Sequence, residues 1–251
     1  MKKRILSILL LCCMVLTLLP TTVLAADGPM DTIPKYDVSI DVYNRTSDIS
    51  IKDSRSYYIY SSVPDKLRDT WAWDKKIFIK GDKTAPHVFI DGVNIKMSPS
   101  SKGPAIELNK KASAYLYFIG KDSTLQGADG RAAIQKNRSE GQLYVLARTG
   151  TTVTCKGGYR AAGIGGSWAI RNIGDSMFNM DMYGHGVNMH FGSQSNPDYW
   201  GGTINATGGE YGAGIGAGSW GHSGHSGNTI HGGAGERLYF YSCLLYTSPS
   251  P

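Results

Sequence analysis

Hydrophobic residues recur at every second position along most of this chain, in short bursts. Ile49-Ser50-Ile51, Ile77-Phe78-Ile79, Val88-Phe89-Ile90 and Val93-Asn94-Ile95 open the series. Leu116-Tyr117-Phe118, Leu143-Tyr144-Val145, Phe178-Asn179-Met180-Asp181-Met182, Val187-Asn188-Met189 and Gly202-Thr203-Ile204-Asn205 continue it. Each burst is bounded by Gly, Asp, Asn, Ser or Pro, as short strands are. A period of two sends one set of side chains inward and the other outward. No segment keeps a helical period over about ten residues.

Between the bursts a phrase returns. Gly158-Tyr159-Arg160-Ala161-Ala162-Gly163-Ile164-Gly165 is echoed by Gly209-Glu210-Tyr211-Gly212-Ala213-Gly214-Ile215-Gly216, and both copies run on to Ser-Trp at Ser167-Trp168 and Ser219-Trp220. Pro104-Ala105-Ile106 and Ala132-Ala133-Ile134 carry the same small-small-Ile core earlier in the chain. The first three copies lie about 28 to 30 residues apart, the length of one coil of a repeat array. The last gap, from Ala162 to Ala213, is nearly twice as long and reads as two coils. A unit of this size with two or three short strands predicts a parallel β-solenoid of about eight coils. Ile106, Ile134, Ile164 and Ile215 are expected to form an inward ladder. Ala105, Ala133, Ala162 and Ala213 are expected where space is tight, with glycines turning the corners. Of the 32 glycines, 24 fall between Gly150 and Gly235. A sandwich would need regular hairpin turns, for which only Asp91-Gly92 is a candidate. A propeller would need blades of about 40 residues.

Ile90-Asp91-Gly92-Val93-Asn94-Ile95, Gly103-Pro104-Ala105-Ile106, Leu125-Gln126-Gly127, Ala133-Ile134-Gln135-Lys136-Asn137 and the Ala-Gly-Ile-Gly copies form an ordered series. This series resembles the Gly-rich repeat proteins on the surfaces of anaerobic, largely Gram-positive bacteria. It is also similar to the right-handed parallel β-helix carbohydrate-binding domains of cellulose-degrading clostridia. The resemblance covers roughly residues 36 to 235. It implies a right-handed, single-stranded parallel β-helix that is secreted or wall-associated. It also implies polysaccharide as partner, whether plant cell wall, mucin glycan or peptidoglycan. Calcium is the cofactor it implies, with no ligand set assigned here. The Met-rich stretch Met177 to Met189 departs from the usual Gly-Thr-Ile-Thr pattern.

The two ends change the domain picture. Lys2, Lys3 and Arg4 precede an apolar run from Ile5 to Leu19, and Val23-Leu24-Ala25 is a small-residue cleavage site. This predicts a signal peptide over residues 1–25 and export. The run is too short for a comfortable span of about 20 residues, so no membrane span is expected in the mature chain. Residues 242–251 resemble a translated sequencing adapter. The β-helix is therefore expected over 26–241, and incomplete at its C-terminal side. Of four cysteines, Cys12 and Cys13 lie in the signal and Cys243 in the adapter-like tail, which leaves Cys155 without an intrachain partner. The net charge is +6, and Lys2, Lys3 and Arg4 supply three of those charges. The weakly basic remainder, with no long basic run, excludes a nucleic-acid reading based on bulk charge.

Candidate chemistry is sparse. Trp168, Trp200, Tyr211 and Trp220 are the ligand-binding candidates, because sugar rings lay their C–H faces on aromatic rings. Packing beneath loops is the competing role for such large rings. His222 and His225 are a weak metal pair, with neither Cys nor carboxylate beside them to complete four ligands. No catalytic residue is assigned. Asp91, Asp181 and Asp198 are scattered, and Asp122 with Asp129, or Glu107 with Asp91, would reach the about 5 to 10 Å of a paired-acid site only by accident of stacking. The expected role is a non-catalytic polysaccharide-binding or adhesin-type module. A Ca-dependent lyase or glycoside hydrolase on the same scaffold is the alternative, and a ligand-free structural stalk the third reading.

Overall fold

The computed structural model describes residues 34–248 apart from 99–102, 110, 138–139, 172–183, 223–229, 233 and 242–243. The chain divides into Met1–Pro34 and Lys35–Pro251. The signal-peptide reading lies outside the described residues.

The body is a parallel β-helix. The chain visits three parallel sheets in turn, and each sheet gains one strand per turn. Face 1 has seven strands: Val38–Asp41, Ser56–Tyr60, His87–Asp91, Ala114–Ile119, Leu143–Ala147, Gly186–Phe191 and Gly235–Phe240. Face 2 has five: Asn94–Lys96, Ser123–Gln126, Thr152–Lys156, Thr203–Thr207 and Leu244–Ser248. Face 3 has six: Ile49–Ile51, Ile77–Lys80, Ile106–Asn109, Ile134–Gln135, Ile164–Gly165 and Ile215–Gly216. Asp91-Gly92 makes a corner between faces 1 and 2 rather than a hairpin, with Gly92 at φ +61°. The segment read as adapter-like provides the last strand of face 2, where Leu244–Ser248 pairs in register with Thr203–Thr207. Its Leu-Leu-Tyr-Thr sequence suits an open parallel edge.

The isoleucine ladder stands on face 3. Ile106, Ile134, Ile164 and Ile215 are paired turn upon turn. Ile49 and Ile77 extend the column two turns further. From Ile49 to Ile164 every member is at most 2 % exposed. Burying each such side chain stabilises the fold by about 1.5–3 kcal/mol. Face 1 contributes Ile59, Ile90, Phe118 and Ala147 as a second inward column. Face 2 contributes a third, Trp73, Ile95, Leu125, Cys155 and Ala206, all nearly or fully buried. This column shrinks steadily from indole to methyl. Trp73 also donates from Nε1 to the Arg45 carbonyl at 2.8 Å.

Two expectations need correction. Ile164 pairs directly with Ile215, so the long gap is one turn, not two. Its extra residues fall between the strands that end at Gly165 and begin at Gly186, and again between those that end at Phe191 and begin at Thr203. The described array therefore has seven turns, close to the eight expected. Ala169–Arg171 lies in the first insertion and pairs with Ser219–His222, which also pairs antiparallel with Ile230–Gly232 in a small lateral sheet. The small-residue column is also shifted by one residue. Gly163 and Gly214, not Ala162 and Ala213, precede the ladder isoleucines where Ala105 and Ala133 do in earlier turns. A methyl at Gly163 would lie 2.7 Å from the Gly214 carbonyl oxygen and 2.9 Å from that of Cys155. The later corner is too tight for any side chain there.

Candidate functional site

Outward positions on face 1 carry rings in two columns. In the first, His87, Tyr115, Tyr144, His190 and Tyr239 are register partners on five successive strands. Their ring centroids lie 4.6, 4.5, 4.4 and 4.6 Å apart, with interplanar angles of 5° to 17°. In the second, Tyr58, Phe89 and Tyr117 follow one another. Phe89 stacks on Tyr117 at 4.9 Å, and Trp200 leans on Tyr117 at 5.1 Å with a 41° tilt. Tyr199 meets Trp200 edge to face at 4.7 Å. Tyr58, Phe89, Tyr117 and Trp200 form, with Ile119 and Tyr60, an apolar cluster outside the main core.

The spacing is imposed by the backbone, because paired strands lie about 4.8 Å apart. Stacking at that distance covers much of each ring's face. Edges, hydroxyls and imidazole nitrogens are then turned outward. The polar atoms are tethered locally: the Tyr117 hydroxyl lies 3.0 Å from His87 Nδ1, and Tyr144 donates to Gln142 Oε1. Tyr58 donates to Asp91 Oδ2 at 2.8 Å, while the Lys121 amide donates to Asp91 Oδ1. Burial holds the His87 and His190 imidazoles below their usual pKa, so the neutral rings are favoured. Burial also raises the Tyr117 and Tyr58 phenols, the latter helped by the Asp91 carboxylate.

A second cluster occupies the corner between faces 2 and 3. Gly130, Arg160 and Tyr211 stack there, linked by the Gly130 amide donating to the Tyr159 carbonyl and the Arg160 amide to that of Glu210. All three adopt positive φ, at 72°, 59° and 62°. The Arg160 guanidinium carbon sits 4.8 Å from the Tyr159 ring centroid, 5.3 Å from Trp168 and 5.9 Å from Tyr211. Arg160 Nε and Trp168 Nε1 are shielded from solvent without a hydrogen-bond partner. Among the described residues Asn188 and Arg237, both within face 1 strands, are the other non-glycine residues with positive φ.

The four aromatic candidates therefore separate. Trp200 joins face 1, whereas Trp168 and Tyr211 meet at the corner. Trp220 is not equivalent to Trp168: one extra residue in the second copy places it opposite Ala169, and its side chain lies outside the described residues. His222 lies opposite Arg171 in the same lateral sheet, and His225 lies outside the described residues. Among the described residues no group of three or more His, Cys, Asp or Glu side chains could hold a metal ion. Asp91 and Glu107 lie on different faces. Asp91 ends a face 1 strand, while Glu107 lies on the outward side of face 3, paired to Lys76 at 2.7 Å. Asp122 accepts from the Thr152 amide, and Asp181 lies outside the described residues. Cys155 is buried, and burial drives its thiol pKa up, which makes it inert.

Sequence reasoning missed His87, Tyr115, Tyr144 and Tyr239. Their signal was present in the outward positions of bursts already recognised as strands. Aligning those bursts by coil would have stacked them. No family model, no curated protein and no solved structure matches the chain.

Proposed function

We propose that the chain is a non-catalytic polysaccharide-binding module of an exported, cell-surface type. The observation that carries this reading is the ring-lined outer side of face 1. There a five-ring column runs beside Tyr117 and Trp200. A straight row of ring edges and hydroxyls, repeating once per turn, offers a polymer the same contact many times. Trp200 and Tyr199 add tilted ring surface at its side. Each contact is weak, and several engaged together give useful affinity.

The test is retention of the purified protein on pectin, cellulose, xylan, chitin and peptidoglycan. A Trp200→Ala variant and a Tyr115→Ala/Tyr144→Ala double variant are compared with the parent. Retention on at least one polymer is expected, with each aromatic contact worth about 0.5–1.5 kcal/mol, or a two- to tenfold loss. Retention on none, or retention unchanged in both folded variants, would overturn the assignment.

A further inference from the structure

Three successive turns hold the left-handed conformation at one corner, and only the first uses glycine: Gly130, then Arg160, then Tyr211. Glycine adopts it freely, whereas Arg and Tyr are strained by it. The segment is otherwise rich in glycine, yet two side chains persist where glycine would be easier. Both reach the same cluster around Trp168. The cluster carries two further costs. Arg160 Nε and Trp168 Nε1 are desolvated N–H donors with nothing to donate to. Strain and unmet donors in one place mark a site whose arrangement serves something besides folding. Tyr159 and Tyr211, which are 41 % and 56 % exposed, keep it open to solvent.

We propose that this corner is a glycan subsite for an uncharged sugar-borne acceptor, the acetamido carbonyl of an N-acetylated hexosamine. This rests on the polysaccharide-binding reading above. A carbonyl oxygen has two lone pairs and can accept from two N–H groups. The Arg160 guanidinium carbon lies 5.3 Å from the Trp168 ring centroid, which puts both unpartnered donors at one corner. The acetamido methyl and the sugar's C–H face would lie against Tyr159 and Tyr211. Formal charge at the rim gives acidic sugars no advantage over neutral ones. Glu210, next to Tyr211 and close enough to raise its phenol, and Asp129, beside Gly130, are both exposed carboxylates. They offset the cations Arg160 and Arg131.

The experiment is calorimetric titration of the full chain with chito-oligosaccharides, their de-N-acetylated forms, cello-oligosaccharides and oligouronates of equal length. The N-acetylated ligand is expected to bind about tenfold tighter than the de-N-acetylated one. Arg160→Gly and Trp168→Phe are each expected to erase that preference. Arg160→Gly should melt no lower than the parent, because glycine suits φ 59°. Equal affinities, a preference for oligouronate, or a preference that survives Arg160→Gly would overturn the proposal. So would an Arg160→Gly protein that melts lower with its preference intact, since Arg160 would then be structural. Binding of neutral ligands that depends on Trp200 but shows no acetamido preference would remove this subsite alone. Binding of no oligosaccharide would remove the parent reading with it.

Discussion

The turns closed by Ile77, Ile106 and Ile134 and those closed by Ile164 and Ile215 share one core column but are built differently around it. The earlier turns are regular. Their inner positions are filled by Ile, Leu and Phe. The later turns carry insertions at two corners, and backbone approaches backbone where side chains stood before. Gly158 shows the change: a methyl there would lie 1.9 Å from the Ala128 carbonyl oxygen. The pairing register survives all of this, since Ile164 meets Ile215 as directly as Ile106 meets Ile134. A turn is thus defined by its ladder and not by its length. The corners are free to diverge, which is where loops usually carry function.

The sharpest way to break this comparison is to empty the shared column. Ile134→Ala should cost about 2–5 kcal/mol, read as a lowered denaturation midpoint with an unchanged slope. Gly158→Ala should cost somewhat less, about 1–3 kcal/mol, through forced displacement of the Ala128 carbonyl. A corner that tolerated the methyl would show that the later turns are looser than their geometry implies.

Lys136 stands where the regular turns give way to the elaborated ones. By strand alternation it continues the inward column of Ile51, Ile79 and Leu108, yet it is 1 % exposed and carries an ammonium. Its Nζ donates to the Glu140 carbonyl, and burial lowers its pKa to about 8, with Arg237 adding to the shift and Glu140 opposing it. A base whose folded pKa is lowered loses stability as pH falls from its unfolded value, near 10.5, through about 8. Lys136→Leu should therefore stabilise the protein by about 1–3 kcal/mol at pH 7. The gain should shrink as pH rises through that window, as followed by melting temperature against pH.

The smallest expected effect concerns His87 and His190. Both imidazoles have lowered pKa values, so the unfolded chain takes up protons first as pH falls below about 6.5. Stability should be fully present above that value and decline below it. The His87→Phe/His190→Phe double variant should flatten the decline while keeping the ring column. An unchanged acid limb would place the sensitivity elsewhere.

The inward half of the structure was legible because a ladder needs the same residue class at a fixed interval, and Ile106, Ile134 and Ile164 announce that interval. The outward half was harder, because outward positions are under no shared packing constraint. His87 and Tyr144 look unrelated until register places them in one column. The insertions were hidden for a related reason. Phe178–Met182 alternates like a strand of another coil, so a lengthened turn read as two. The Trp168–Trp220 equivalence failed on a single extra residue, since a shift of one in a strand changes every partner.

The shrinking column on face 2, from Trp73 through Leu125 to Ala206, makes the turns individuals and not copies. An array of identical units can lengthen by duplicating any one of them. Here a duplicated turn would bring an indole or a methyl to a level shaped for something else. Gene-level growth by simple repetition is thereby penalised. New length is more readily accepted at the corners, between one ladder strand and the next.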